Sequence, residues 1–317
     1  MQNKVSEKMQ KTDNQNTTKE QLDLHGLFSA IWKRKWLIIS ITAAFSVASV
    51  IYAISQPNIY KSEALLAPAE EEQSGGLGGL AGQFGGLASL AGVSLGGSSD
   101  TKTKLAIEVL KSRKFTTEFI QNHDALRDLM AAKSWNLLEN KVIYDDEIYD
   151  VNLREWVREV EAPYKPKPSM QEAYKEFTKL IAIKTDKETG MVILSIEHVS
   201  PFIAQQWINW LVEDINKTMK ARDVIEANKS TQFLTRQLEQ TKIADIRAVL
   251  YKLVEEQAKT IMFAEVRDEY VFKTVDPALV PETKSKPKRV LIIILGTMIG
   301  AFFSIMIVLT RYFIKND

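Results

Sequence analysis

Cysteine is absent from the chain, histidine occurs only three times, and the stretch 202–276 contains neither glycine nor proline. Without cysteine there is no disulfide framework, no thiolate metal site and no thiol nucleophile. The absence suits an oxidising compartment, where stray thiols would be lost. His25, His123 and His198 lie far apart in sequence, and no H-E-x-x-H, G-x-x-x-x-G-K or G-x-S-x-G pattern occurs. Nothing singles out a pair for acid–base work among the 40 acidic residues. The expectation is a protein without catalytic residues, cofactor or metal. An excess of one charge is also missing: 41 basic residues face 40 acidic ones, which gives no nucleic-acid signature.

Two stretches, 36–54 and 290–310, lack charged side chains altogether. As helices rising 1.5 Å per residue, each is roughly 30 Å long, the thickness of a bilayer's hydrocarbon core. A cleaved signal peptide fits the first poorly, because 35 residues precede it and no A-x-A site follows. Lys33, Arg34 and Lys35 immediately before the first run hold that flank in the cytoplasm. The expected organisation is a cytoplasmic segment 1–35, a transmembrane helix 36–54, a periplasmic domain 55–289, a second transmembrane helix 290–310 and a cytoplasmic tail 311–317. The cluster "KSKPKR" before the second run opposes this locally, but long loops translocate largely regardless of charge. That cluster is also a candidate for contact with lipid head groups.

Within the domain, "IYKSEALL" alternates as a strand, with Tyr60, Ser62 and Ala64 on one face. The segment 74–99 holds 10 of the 14 glycines and reads as a loop. Its "GLGGLA" fits G-x-G-x-x-A, yet no strand feeds it and no helix follows, so a dinucleotide site is not expected. Positions 101–130 have helical periodicity, and Asp124 is the expected N-cap of "DALRDLMA". The acidic run with Asp145, Asp146, Glu147 and Asp150 lacks the glycine and terminal glutamate of a calcium loop and reads as a solvated turn.

Ser169 and Glu172 form an S-x-x-E capping box. "IAIKTDKETGMVILSIEHV" is a β-hairpin with Gly190 placed for positive φ, and His198 ends its second strand. Ser200 and Pro201 then open a long helical region, 200–268. Ile203, Trp207, Leu211, Ile215 and Met219 recur every four residues along it, and Ile243, Ile246, Leu250 and Leu253 follow the 3–4 spacing of a helix–helix seam. As one helix the region would stand about 100 Å tall. The strand-like "EYVFKTVDP" and the second apolar run must return to the membrane, so either the helix folds back near Asn228 or Gln240 or earlier segments climb while this one descends. The fold class expected is α+β: two transmembrane helices flanking a periplasmic α/β base domain with a long, hairpin-like helical protrusion.

"LDLHGLFSAIWKRKWLII", "YKSEALLAP", "GGLASLAG", "TGMVILSIEH" and above all "VDPALVPETKSKPKRVLIIILGTMIG" resemble the Wzz-type chain-length determinants, the polysaccharide co-polymerases of Gram-negative inner membranes. The resemblance covers nearly the whole chain. Prolines before the second span and small residues within it mark that family. Pro277, Pro281 and Pro287 match the first feature, and Gly296 and Gly300 match the second, with Ser304 where a third glycine often stands. Stripes of small residues allow helices to approach closely in lipid.

The resemblance implies a ring-shaped homo-oligomer, most often of eight copies, that regulates without catalysis how many repeat units the O-antigen polymerase adds to a lipid-linked polysaccharide. Control of capsule or exopolysaccharide length is the nearest alternative, and the absence of a P-loop in the tail disfavours a fused tyrosine kinase. A periplasmic adaptor or sensor is the alternative from another class. It is disfavoured because 35 cytoplasmic residues hold no signalling domain and no lipoyl-like repeat is found.

Overall fold

The structure, a computed structural model, describes residues 32–69 and 99–316. The glycine-rich stretch expected at 74–99 and His25 thus lie outside the described residues, apart from Ser99. In chain order the elements are α1 (Lys35–Ser55), β1 (Tyr60–Pro68), α2 (Ser99–Leu110), α3 (Arg113–Asn122), α4 (Leu126–Met130), β2 (Ala132–Asn136) and β3 (Lys141–Tyr144). They continue with β4 (Tyr149–Asp150), β5 (Glu155–Trp156), α5 (Met170–Leu180), β6 (Ile181–Thr185), β7 (Val192–His198), α6 (Pro201–Gln240), α7 (Ala244–Val266), β8 (Phe272–Asp276) and α8 (Arg289–Asn316). The chain divides into two compact units: α1 with α8, and a base unit running Pro57–Lys286.

The helix pair holds the two apolar runs. Helix α1 stops because Gln56 precedes Pro57, which disfavours helical backbone, and Gln56 is extended (φ −73°, ψ 135°). Both α1 and the 289–311 part of α8 are long and apolar enough to cross a membrane.

The base unit is built on a four-stranded antiparallel sheet ordered β6-β7-β1-β8. Alternation decides its inner face. Ser62, Ala64 and Leu66 of β1 are buried with their β7 partners Ile196, Leu194 and Val192. The first half of α6 covers this face through Trp207, Ile208, Leu211, Ile215 and Met219, all buried, while Ile203 is half-buried at its edge. Helices α2, α3 and α5 add Leu110, Phe119 and Phe177, and the Phe119 ring meets Trp207 edge-on at 6.1 Å. Complete burial of a side chain of this size contributes on the order of 1.5–3 kcal/mol.

Local signals place several boundaries. Ser169 and Glu172 form the reciprocal capping box that starts α5. The Ser200 hydroxyl accepts from the Ile203 N–H, and Pro201 occupies the first turn of α6. Gly190 has φ 70° in the β6–β7 turn. Asp124 departs from its expected role: it adopts φ 47°, and Ala125 occupies the cap position of α4 without any side-chain bond. The reversal after α3 needs a left-handed residue there, a conformation aspartate tolerates.

Candidate functional site: a helix-packing face and the root of a helical hairpin

Among the described residues, no cluster of three His, Asp or Glu side chains is arranged to hold a metal ion. The acidic run is a turn in which the Asp145 carboxylate accepts from the Glu147 N–H and pairs with Lys133 at 3.3 Å. Three other arrangements carry structural consequence.

The first is the face shared by α1 and α8. Gly296, Gly300, Ser304 and Val308 recur every four residues on α8, and the last three are buried. A Cβ at Gly296 would overlap the Ser49 side chain, and one at Gly300 would stand 2.5 Å from Phe45 Cβ. The antiparallel helices therefore touch backbone to side chain at two successive turns. Phe45 also stacks on Phe303 with ring centroids 6.3 Å apart. At the end of the pair, Arg289 Nε donates to the Ala53 carbonyl at 3.0 Å, an oxygen in the last turn of α1 that lacks an intrahelical partner. Ser49 and Phe45 were not singled out from sequence, although Ala44, Ala48, Ser49 and Ala53 form a run of small residues that hints at a close face.

The second is the proline segment 277–287. Three prolines remove backbone donors and block regular structure, so side chains and a lone bridge tie the segment down. The Ser62 hydroxyl donates to the Leu279 carbonyl at 2.7 Å, and Gln205 Nε2 donates to the Ala278 carbonyl at 2.9 Å. The Ile59 N–H donates to the Lys286 carbonyl at 3.0 Å, and the Ile59 carbonyl accepts from Ser285 at 2.8 Å. Lys286 Nζ pairs with Glu197 at 2.5 Å. Pro277 is exposed, and Pro281 and Pro287 are half-buried.

The third is the helical hairpin of α6 and α7, roughly 60 Å and 35 Å long by residue count. The chain reverses over 241–243, next to Gln240, while Asn228 stays within α6. Thr241 and Ile243 are extended (ψ 124° and 121°), the region their β-branched side chains favour. On the way back Lys220 Nζ donates to the Arg267 carbonyl at 3.5 Å, and Tyr270 Oη donates to Asp223 at 2.6 Å. Ala227 and Ala264, one on each arm, are both buried.

Along the expected seam the four side chains differ in exposure within the single chain. Ile243 caps α7 rather than lying within it and is 60% exposed, and Ile246 is 46% exposed. Leu250 and Leu253 are half-buried. The first two side chains fall in and just after the reversal.

Asn216 fixes the root of the hairpin. Its buried amide accepts from the Val271 and Phe272 N–H groups at 2.8 and 3.0 Å and donates to the Phe272 carbonyl at 3.1 Å. One side chain thus anchors β8 to α6. An asparagine in an apolar stripe, three residues before Met219, was the available signal.

His198 is likewise structural. It is buried beside Trp207, with Nδ1 accepting from the Ser200 N–H at 3.0 Å, so Nε2 carries the proton and donates to the Asp128 carbonyl at 2.9 Å. Burial pushes its pKa below the usual 6.5. The unfolded chain therefore binds a proton below about pH 6.5 that the folded chain refuses, and stability falls as pH drops through that window. Melting followed from pH 7.5 to 5 should show a loss of up to about 1.4 kcal/mol per pH unit from this group, and His198→Gln should flatten that slope. Nearby, Tyr144 donates to Asp128 at 2.5 Å, and burial together with this bond pushes its pKa up to about 12. His123 stacks on Trp210 at 4.2 Å and bonds Asp214 at 2.8 Å.

Against known proteins, the chain length determinant family model (Wzz) matches residues 20–123. The GNVR model, described as a "G-rich domain on putative tyrosine kinase", matches 235–313. The two matches take in both apolar helices, and the N-terminal third of the chain carries the chain length determinant (Wzz) domain. A full-length bacterial polysaccharide co-polymerase is similar over 94% of this chain and 99% of its own, at 13% identity and a TM-score of 0.39. A fragment of WzzB, the polysaccharide co-polymerase from Salmonella Typhimurium, is similar over 72% of this chain and 100% of its own, at 14% identity and a TM-score of 0.26. No curated protein matches by sequence.

Proposed function

We propose that this chain is an inner-membrane scaffold, without chemistry of its own, that sets the modal length of the O-antigen built by the O-antigen polymerase. The observation that carries this reading is the chain length determinant match at one end of a chain that pairs two apolar terminal helices around a single base unit with a helical hairpin. In it α1 and α8 span the membrane, Lys33, Arg34 and Lys35 hold the N-terminus in the cytoplasm, and the base unit is periplasmic. The protein acts as a ring of its own copies, eight by resemblance, presenting hairpins to the growing lipid-linked polysaccharide. Length is then set by shape and mutual packing.

The test is a lipopolysaccharide ladder from a deletion strain beside its parent and the complemented strain. Loss of the mode on deletion, and its return on complementation, is the expected result. Complementation with His123→Ala, Asp145→Ala, Asp146→Ala or Glu147→Ala should also restore it, because no reacting group is removed. A mode abolished by any one of these at matched protein level overturns the scaffold reading.

The GNVR match favours a second reading, a co-polymerase for capsule or exopolysaccharide acting with a separate tyrosine kinase. An unchanged lipopolysaccharide ladder with an altered capsule size distribution in the deletion strain selects it.

A further inference from the structure

Between β2 and β3 the turn "NLLEN" carries two adjacent leucines at its tip, Leu137 at 72% and Leu138 at 94% exposure. The turn is rigidly made. Asn136 Oδ1 accepts from the backbone N–H of Leu138 at 2.9 Å and of Glu139 at 3.4 Å. Asn140 takes a left-handed φ of 49°, and its side-chain oxygen accepts from the Trp135 indole N–H at 3.0 Å. Two large apolar side chains are thereby held outward at a convex tip. The exposed lysines Lys133 and Lys141 flank it, and Glu139 is paired with Lys141 at 3.5 Å.

The same hairpin packs beside the two chain ends of the base unit, Pro57 and Lys286. The Trp135 ring meets Tyr60 edge-on at 5.5 Å and lies 6.0 Å from Phe202. Tyr60 follows Ile59, which is bridged to Lys286, three residues before the start of α8. Extended chain spans at most about 3.6 Å per residue, so this bridge lies within about 11 Å of the first residue of α8. The head-group layer adds roughly 5–7 Å on each side of the hydrocarbon core. Tyr and Trp favour this layer, and lysines favour its anionic lipids.

We infer that the Leu137–Leu138 tip inserts into the bilayer surface and anchors the base unit on the lipid. This inference rests on the two-span reading above. A convex tip of two leucines bordered by lysines suits the layer between head groups and acyl chains, where apolar side chains and cations are accommodated together. A flat protein surface would leave most of such a tip in water.

Because the chain has no cysteine, a single introduced one labels uniquely. The full chain bearing Leu138→Cys, labelled with nitrobenzoxadiazole, is reconstituted into vesicles of phosphatidylethanolamine and phosphatidylglycerol containing a lipid with a shallow acyl nitroxide. Lys229→Cys on the exposed face of α6 and Phe302→Cys on α8 serve as references. The expected result is quenching of the Leu138→Cys label by the nitroxide lipid at least threefold greater than that of the Lys229→Cys label, with Leu137→Cys behaving alike. Quenching by aqueous iodide alone overturns the inference. So does shielding from both quenchers, which would put a second copy of the chain over the tip. If the Phe302→Cys label itself escapes the lipid quencher, the two-span reading fails, and the inference fails with it.

Discussion

Replacing Gly296 and Gly300 together by leucine will separate α1 from α8 while leaving both helices apolar enough to span a bilayer. Even a methyl group at these positions meets Ser49 and Phe45, and Phe45 is approached at its Cβ, close to backbone that cannot swing away. Overpacking of this kind costs on the order of 1–3 kcal/mol per site. Since 1.4 kcal/mol is a factor of ten in an equilibrium, the closed pair should lose at least tenfold in population. Insertion is spared because leucine is more apolar than glycine. A cysteine pair introduced as Thr42→Cys and Ser304→Cys, about one turn further along the same register, should cross-link readily in the parent and poorly in the double variant. Length control should fail in parallel if the pair supports assembly. Equal cross-linking in both backgrounds would remove the packing role of the stripe.

The second large effect is expected at Asn216→Ala. This substitution strands two backbone N–H groups and one carbonyl inside the protein, at Val271 and Phe272. A buried polar group without its partner costs on the order of 1–3 kcal/mol, so the three together approach the margin by which domains are stable. Strand β8 should loosen first, because β1 holds only its other edge. Hydrogen exchange is the direct measurement: protection at Val271 and Phe272 should fall by at least tenfold, with a lowered melting temperature. Asn209→Ala, on an exposed position of the same helix, should change neither. Retained protection at Val271 in the Asn216 variant would show that the amide is not the anchor.

Features whose cause lies within a few residues were legible in the sequence. The capping box at Ser169, the Ser200–Pro201 start of α6 and the Gly190 turn each depend on one short stretch of chain satisfying its own backbone. The four-residue stripe from Trp207 to Met219 was equally plain, because a helix repeats every 3.6 residues and the sheet needs one apolar cover. The reversal at 241–243 was legible only as one of two places, near Asn228 or near Gln240. Sequence punctuates turns with glycine and proline, and this one uses neither. The spacing of Ile243, Ile246, Leu250 and Leu253 suggested one seam, and the structure places Ile243 in the reversal and Ile246 in the first turn of α7.

The sequence by itself determined the two apolar helices, the strand alternation and the local caps, since hydropathy and backbone chemistry act at short range. It also determined the absence of any thiol. Only the tertiary structure decided what Gly296 and Gly300 face, how α6 and α7 return to the sheet, and that Asn216 is the tie between them. Each of these joins residues dozens to hundreds of positions apart, and such pairs are chosen by the packing of whole elements, which no local pattern encodes.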